Sequence, residues 1–588
     1  MGTISDKLMR VINTKEDIRQ ALISKGYNVP TSMPFKEYAK MILDLPCKVD
    51  SFPDIEGIVA RYSASGLTNE QMAANPVWKN LTGNGHDLQM KNFSWGGMSG
   101  VGGYVDNWNS SADWSINNYW VNSHTDHKLQ LITASTVVQM KSNNIYNAEN
   151  VYKNILNVNG LTEAVNKGSV GGLRISATDP ITSKAIKTFS FDTDGVIQIS
   201  FDDVLQDYCV VYFVYGNNTN DIDITIEQLP LYPGALVFDG VDDCGTCNNF
   251  PILTKEKGYT VVVLRQWDQD FLNTTLTGGL LSTRNYSTGE GVAFEKIESS
   301  NKGYWNLGAG GIIDFAKSPF TWQTSKQYNN VGILKGDKNH GKPLCVGCGL
   351  SGGQQCGRFA IWELVILDHD ATEEELTKIK NYFVKTYPWL FPYQAWTVVG
   401  KTNEDEDRAT IANITGNGND LVCLNLGFIE GSGYNEEGEY AGYLVTDGVD
   451  DKITSSTFEM GNDWTVIGDW ELINTGKNAN AGIVKFDSIV IYNYNPILIN
   501  IKNGRNNLIP DQNTVNAICS DGRIYSKDWK ESIYNEETES TSKNLLTIGY
   551  SGNSYTKIAF KNLAIYPTVL SKEDCIKAYN YLQTLKSK

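Results

Sequence analysis

Proline is scarce in this sequence, with 16 in 588 residues, and so are cysteine (10) and histidine (5). So few cysteines in so long a chain exclude a disulfide-scaffolded minidomain; they read as reduced thiols of a protein made in a cytosol. Charged residues make up only 20% against 41% hydrophobic, an ordinary globular balance that excludes bulk disorder. Basic residues are the minority. Fifty Lys+Arg against 67 Asp+Glu leave a formal charge of −17, which argues against general nucleic-acid or anionic-membrane binding. No run of about 18 apolar residues occurs, so no helical membrane insertion is expected. The opening Met1-Gly-Thr-Ile-Ser-Asp-Lys-Leu-Met lacks a basic region followed by an apolar stretch and does not read as a signal peptide. Asp6 stands where a myristoylation start has Ser or Thr. What abounds is glycine (54), tyrosine (30) and tryptophan (14), which favours β-structure over helical bundles. At about 150 residues per domain, the length predicts about four domains.

Residues 1–47 read as a small helical module. Thr14 has the spacing of an N-cap with Asp17 three residues on, Ile18, Ala21 and Leu22 form an apolar stripe, and Gly26 closes it. Pro34 opens a second helix carrying Phe35, Tyr38, Met41, Ile42 and Leu45, and Pro46 ends it. About 45 residues is marginal for independent folding. The module is either a simple cap or, the reading preferred here, a docking element that completes its core on another protein.

The rest of the chain repeats itself. Asn80-Leu-Thr-Gly-Asn-Gly-His-Asp-Leu88 returns as Asn413-Ile-Thr-Gly-Asn-Gly-Asn-Asp-Leu421, an offset of 333. Thr68-Asn69-Glu70 returns as Thr402-Asn403-Glu404. Asp239-Gly-Val-Asp-Asp243 returns as Asp447-Gly-Val-Asp-Asp451 at offset 208, and residues 359–383 match 558–582 at offset 199. Three blocks in one order mean one domain type occurring twice. The fall from 333 to 208 gives the first copy about 125 additional residues between its first and second blocks, a length that suits one inserted domain. The insert reads as β-rich. Phe189/Phe191 and Ile197/Ile199/Phe201 alternate around Thr193-Asp194-Gly195 as a hairpin. Ile222, Ile224 and Ile226 alternate with polar residues, and Cys209 to Tyr215 suits a central strand. Each copy closes on an alternating strand and a short helix capped by Thr372 or Ser571.

Residues 235–243 (ALVFDGVDD) and 443–451 (YLVTDGVDD) resemble the opening strand of concanavalin-A-like, laminin-G-like jelly-roll domains. Residues 361–383 and 560–582 resemble their closing strand and terminal helix. The fold expected is mainly β: tandem jelly-roll β-sandwiches, the first interrupted by an inserted β-domain, behind the helical N-terminal module. The expected boundaries are 1–47 for the module, 53–100 plus 231–391 for the first jelly roll, 101–230 for the inserted domain and 392–588 for the second jelly roll. That fold hosts lectins, glycosidases and inert modules alike, so it implies no single function. Residues 17–42 are similar to a short module of tail-fibre and other virion proteins of tailed phages, particularly those of gut Bacteroides, including crAss-like phages. This resemblance implies a virion protein, a tail or head fibre or appendage, assembled in the host cytoplasm. Its N-terminus would bind other virion proteins, its sandwiches would bind host-surface glycans, and appendages of this kind are commonly homo-oligomers.

Concanavalin-like glycosidases need paired carboxylates on one strand face. No Glu-x-Asp-x-Glu occurs, and Glu404-Asp-Glu-Asp407 lacks strand-like flanks, so no enzyme is expected. The alternatives are a purely structural decoration protein or a surface-polysaccharide depolymerase. No cofactor is required by these residues, but two metals are conceivable. Asp239, Asp242 and Asp243 could hold calcium, although Asp-Gly is equally a common turn. Cys244, Cys247, Cys345 and Cys348 form two C-x₂-C pairs that could hold zinc, with Cys356 as an extra ligand; buried thiols explain the same letters. Gly349-Leu-Ser-Gly-Gly353 matches a nucleophile elbow by letter only, since no helical pattern follows. For glycans the candidates are Tyr104, Trp108, Trp114, Tyr119 and Trp120, set among Asn, Asp and Ser, with Tyr492 and Tyr494 weaker. The same rings could instead fill the junction between sandwich and insert.

Overall fold

The computed structural model describes Lys15, Arg19 and most of residues 52–585; the longest segments outside it there are 284–292, 315–330 and 534–543. The chain divides into two compact units, Met1–Asp54 and Ile55–Lys588. In the first, Lys15 and Arg19 are helical, and the other residues of both predicted helices lie outside the described residues.

The second unit is mainly β. In the first sandwich one sheet has the order Val331–Lys335, Thr260–Trp267, Arg358–Leu367, Leu236–Asp239, Gly100–Val101, with Ile58–Ser63 also paired to Arg358–Leu367. The facing sheet includes Leu88–Lys91, Cys244–Cys247, Leu344–Val346 and Gly278–Ser282. Thr260–Trp267 (TVVVLRQW) is buried along its whole length. Such a run, rather than an alternating one, is what a strand covered on both faces requires. The inner face carries Ala60, Tyr62, Val261, Val263, Ile361, Leu364 and Ile366 in one core.

The second sandwich repeats this plan in the same register. Arg61 faces Val365 and Ser63 faces Glu363; one copy on, Ala395 faces Ala564 and Thr397 faces Asn562. The Thr-Gly-Asn-Gly turn is fastened alike in both. His86 and Asn419 take φ of 63° and 64°. Tyr62 Oη donates to the His86 carbonyl at 2.5 Å, and Trp396 Nε1 donates to the Asn419 carbonyl at 2.9 Å. Each aromatic thus fills its core and spends its polar tip on the turn.

The outer face of the first sandwich's sheet holds a buried ion pair that the second copy lacks. Arg61 Nε lies 3.3 Å from Glu363 Oε2, Arg61 Nη2 donates to Tyr382 Oη at 2.8 Å, and Tyr387 Oη donates to Glu363 Oε1 at 2.8 Å. Tyr382 arrives on the helix Glu373–Thr386, whose start has the full capping box of Thr372 and Glu375. The equivalent helix Lys572–Gln583 is capped by Ser571. It also joins the sandwiches: Trp362 packs edge-on to Tyr581 at 6.3 Å, and Gln266 Nε2 donates to Thr584 Oγ1 at 3.0 Å.

Residues between the first sandwich's strands Gly100–Val101 and Leu236–Asp239 make two five-stranded sheets of their own. Their orders are Ala185–Phe191, Val170–Thr178, Cys209–Gly216, Val138–Ser142, Trp114–Ile116, and Gly195–Ser200, Lys153–Asn159, Ile224–Gln228, Lys128–Leu131, Ser123–His124. Cys209–Gly216 is central, as its apolar run requires. The hairpin expected at 189–201 does not form. Ala185–Phe191 pairs with Val170–Thr178 and Gly195–Ser200 with Lys153–Asn159, so the chain changes sheets there. The turn is held by the helix Leu161–Asn166 instead: Asp194 Oδ1 accepts from Thr162 N at 3.1 Å, and Asp194 N donates to Thr162 Oγ1 at 2.7 Å. The insert leaves the sandwich through a narrow neck, where Gly102 N donates to Ala235 O and Leu231 N to Gly103 O, both at 2.8 Å. The second sandwich joins the equivalent strands, Gly433–Asn435 and Tyr443–Val445, through residues 436–442 alone.

Candidate functional site: a rim built twice

Two turns meet at one rim of the first sandwich, residues 92–100 and 239–243. Asn92 Nδ2 donates to the Asp242 carbonyl and Ser99 Oγ to Asp243 Oδ1, each at 3.0 Å. The second sandwich repeats both bonds, from Asn425 Nδ2 to Asp450 O at 2.9 Å and from Ser432 Oγ to Asp451 Oδ2 at 2.7 Å. The backbone repeats as well: Asn92 and Asn425 both have φ 68°, and Trp95 and Phe428 both have φ 51°. Left-handed φ on a bulky aromatic residue costs about 1–3 kcal/mol and marks a functional candidate when the fold retains it. Here it is retained twice. Both side chains are partly buried and pack against the core of their own sandwich. Trp95 stacks on Phe93 at 4.7 Å, and the Arg408 guanidinium lies 5.3 Å from the Phe428 ring centre. Val241 and Val449, at the tips of the paired turns, are 73% and 72% exposed.

At each rim, three carboxylates gather: oxygens of Asp239, Asp242 and Asp243 lie within 4.8 Å of one another, as do those of Asp447, Asp450 and Asp451. Such a trio offers a hard cation oxygen ligands. It also closes the turn by itself, since Val241 N donates to Asp239 Oδ1 at 2.8 Å and Asp239 N to Asp243 Oδ2 at 3.0 Å. Burial, with Asp239 alongside, pushes the Asp243 carboxyl up to about 7, and Asp451 is raised for the same reasons.

The aromatic candidates of residues 95–120 fall elsewhere. Trp108 and Trp114 are 1% and 3% exposed and pack edge-on to Tyr212 in the insert's core, so they offer no ring face to a sugar. Trp108 lies in a turn and Trp114 on the short strand Trp114–Ile116, and both fill one core. Tyr104 is half-buried and stacks on His127 at 4.3 Å and 7°. His127 Nδ1 meets Asp126 Oδ1 at 2.9 Å, and Asn69 Nδ2 donates to Asp126 Oδ2 at 2.9 Å, so these side chains join sandwich to insert. Tyr119, Trp120 and Tyr494 lie outside the described residues, and Tyr492 is on the strand Ile489–Asn493.

The cysteines regroup. Cys244 faces Lys91 and Thr246 faces Cys345 across the sheet. Side chains alternate along a strand, so Cys244 and Cys345 share one face while Cys247 takes the other, in the main core with Leu88 and Val346. The predicted set of Cys244, Cys247, Cys345 and Cys348 therefore cannot converge on one ion. Cys348 and Cys356 stand directly opposite on the adjacent strands Cys348–Leu350 and Gln354–Cys356 and form a disulfide, so the reading of all cysteines as reduced thiols fails for this pair. The same two strands dispose of the nucleophile-elbow letters, because a strand rather than a helix follows Ser351. The acidic run 404–407 lies in turns, with Asp405 Oδ2 accepting from Thr402 N at 2.9 Å. The rim aromatics were missed because a positive φ leaves no mark in the letters. The signal that could have found them is offset 333, which pairs Trp95 with Phe428.

Three groups tie proton binding to stability. Burial pushes the Asp106 carboxyl up to about 7, against hydrogen bonds from Tyr152 and Asn154. Burial opposes the charged form of His127, but Asp126 and Glu227 raise it above the ordinary imidazole value. Asp106, Asp243 and His127 thus hold their protons more tightly folded than unfolded. Each contributes stability that is complete below its unfolded value, about 4 for the acids and about 6.5 for histidine, and that is lost as pH rises through the folded one. Asp87 and Glu375 act oppositely. Despite partial burial they are held low, by Lys79 and by Thr372, and their contribution is lost in acid below about 4. Urea midpoints should therefore be highest near about pH 5 and fall toward about pH 8, with Asp106→Asn flattening the fall. A higher midpoint at the alkaline end would contradict this assignment.

No protein-family model matches the chain, and no curated protein matches it. Among solved structures, the botulinum neurotoxin serotype D binding domain is 10% identical over 59% of this chain and 91% of its own, with a TM-score of 0.23. Trypanosoma rangeli sialidase in complex with sialic acid is 8% identical over 78% of this chain and 82% of its own, at 0.24. The serotype D ligand-binding domain in complex with N-acetylneuraminic acid is 10% identical over 57% and 87%, at 0.22. Superpositions this loose carry no inference about chemistry.

Proposed function

We propose that this chain is a virion appendage protein, a tail or head fibre component, whose sandwiches recognise host-surface glycans without cleaving them. The observation that carries the glycan reading is the strained, partly buried aromatic held at the same rim position in both copies, Trp95 and Phe428. A sugar stacks its C–H face on such a ring and needs polar partners for its hydroxyls; Asn92, Asn425 and the two carboxylate trios belong to the same rim turns. The similarity of residues 17–42 to virion modules supports the placement, with the N-terminal module binding other virion proteins and the chain acting as a homo-oligomer. The rim carboxylates bond their own turn, unlike a hydrolytic pair, which faces across about 5–9.5 Å of cleft. Two rims on one chain, multiplied by oligomerisation, make weak contacts useful.

The test is binding of the full chain to immobilised host polysaccharide. Trp95→Ala and Phe428→Ala should each weaken binding, and the double variant should lose on the order of 100-fold as avidity collapses, with circular dichroism unchanged. Unaltered binding by the double variant would overturn the rim assignment. Release of reducing ends would replace it with a depolymerase, and stable incorporation into particles without polysaccharide affinity would leave a structural decoration protein. Immunogold labelling of purified particles with an antibody to residues 392–588 checks the virion placement; label on cells or medium alone would refute it.

A further inference from the structure

Four cysteines from four strands form a separate buried cluster: Cys244, Cys345, Cys348 and Cys356, between 0% and 5% exposed. They lie apart from the main core, where the hairpin of Cys348–Leu350 and Gln354–Cys356 joins the sheet by pairing Cys356 with Gly279. We propose that these four sulfurs form a redox-gated tetrathiolate site for a soft divalent ion such as zinc, closed in the present state by the Cys348–Cys356 disulfide.

Three observations carry this. The backbone N–H of Cys348 hydrogen-bonds the Cys345 sulfur, so the C-x₂-C segment turns about that sulfur, although burial with Cys244 alongside pushes the metal-free Cys345 thiol up to about 12. The bend between them is made by Gly347 at φ 100°, where a Cβ would stand 2.5 Å from the Asp243 carbonyl oxygen, so this turn packs directly on the residue preceding Cys244. The third comes from the duplication. Strand register and bridges align Cys244 with Lys452, Cys345 with Thr547, and the Cys348–Cys356 pair with the bridged pair Tyr550–Tyr555. In the second sandwich these positions pack together, with the two tyrosine rings tilted at 36° and 4.7 Å apart and Lys452 Nζ 5.3 Å from the Tyr550 ring. The fold thus closes this corner with no sulfur at all, yet the first copy has cysteine at all four places together. Packing alone explains one or two cysteines there; a four-sulfur set is what a tetrahedral ion requires.

The chemistry balances. A thiol reductant gives two electrons and two protons to the disulfide, leaving Cys348 and Cys356 as thiols and itself as a disulfide. The ion then displaces four thiol protons to solvent, and Lys91, opposite Cys244, offsets part of the resulting negative charge.

The test uses the full chain, reduced with a dithiol, desalted anaerobically and offered zinc or cobalt. The expected result is uptake of about one ion per chain, intense cobalt bands of tetrahedral thiolate, a sulfur-only first shell by X-ray absorption, and no uptake by the oxidised chain. Cys356→Ser should abolish uptake and Cys247→Ser should leave it intact. The variant Cys244→Lys/Cys345→Thr/Cys348→Tyr/Cys356→Tyr, which copies the second sandwich, should fold without metal. Failure of the reduced wild-type chain to take up the ion, or a nitrogen- or oxygen-containing shell, would overturn the proposal without any variant having to fold, and so would loss of uptake by a Cys247→Ser chain whose circular dichroism is unchanged.

Discussion

Glu363→Ala is expected to destabilise the chain by about 3–5 kcal/mol, because it strands a buried guanidinium that cannot give up its proton. Arg61 is 5% exposed, and the hydroxyls of Tyr382 and Tyr387 would lose their shared acceptor. Arg61→Ala should cost less in mild acid, since the orphaned Glu363 can protonate; burial already raises its carboxyl in spite of Arg61. The internal duplication supplies a rescue. The second sandwich has Ala395 and Asn562 at the equivalent register positions, so Arg61→Ala/Glu363→Asn transplants an uncharged combination that this fold already buries. The double variant should lie closer to wild type than Glu363→Ala does, read as urea midpoints at constant slope. With Glu363→Asn measured alone to close the cycle, additive losses would show that the two charges are not coupled.

Trp396→Ala should cost a similar amount, about 3–5 kcal/mol, by emptying a fully buried indole site in the second core. Trp396→Phe separates packing from anchoring. It keeps most of the ring and removes the bond to the Asn419 carbonyl, for about 1–2 kcal/mol. Trp396→Tyr places there the residue the first copy uses, whose hydroxyl meets the equivalent carbonyl of His86. The expected order of loss is Ala, then Phe, then Tyr. If Phe and Tyr are equally destabilised, the polar tip does not fasten the turn.

The duplication is legible in the letters because turn chemistry is local. Asn-x-Thr-Gly-Asn-Gly and Asp-Gly-Val-Asp-Asp specify backbone shapes that few other residues can adopt, so they persist while the strands between them drift. The same locality makes the insertion visible as a change of offset. What depends on register or on distant neighbours is not legible. Cys244 and Cys247 look like one chelating pair until strand alternation sends them to opposite faces. Trp108 and Trp114 look like a wet aromatic surface until Tyr212, about a hundred positions later, covers them. Asp194 looks like a hairpin turn until Thr162 claims it. The Arg61–Glu363 pair spans 302 positions, and nothing in either local sequence announces it.

The neck of the inserted domain has one more consequence. Its two ends meet across the hydrogen bond from Leu231 to Gly103, at a place where the second sandwich closes the chain with residues 436–442. A segment attached that way is a cassette: it can be lost, acquired or exchanged for another fold while the carrier keeps its strand order and its hydrophobic interior. Two levels of variation therefore coexist in one polypeptide, slow change of the carrier residue by residue and abrupt change at a single doorway.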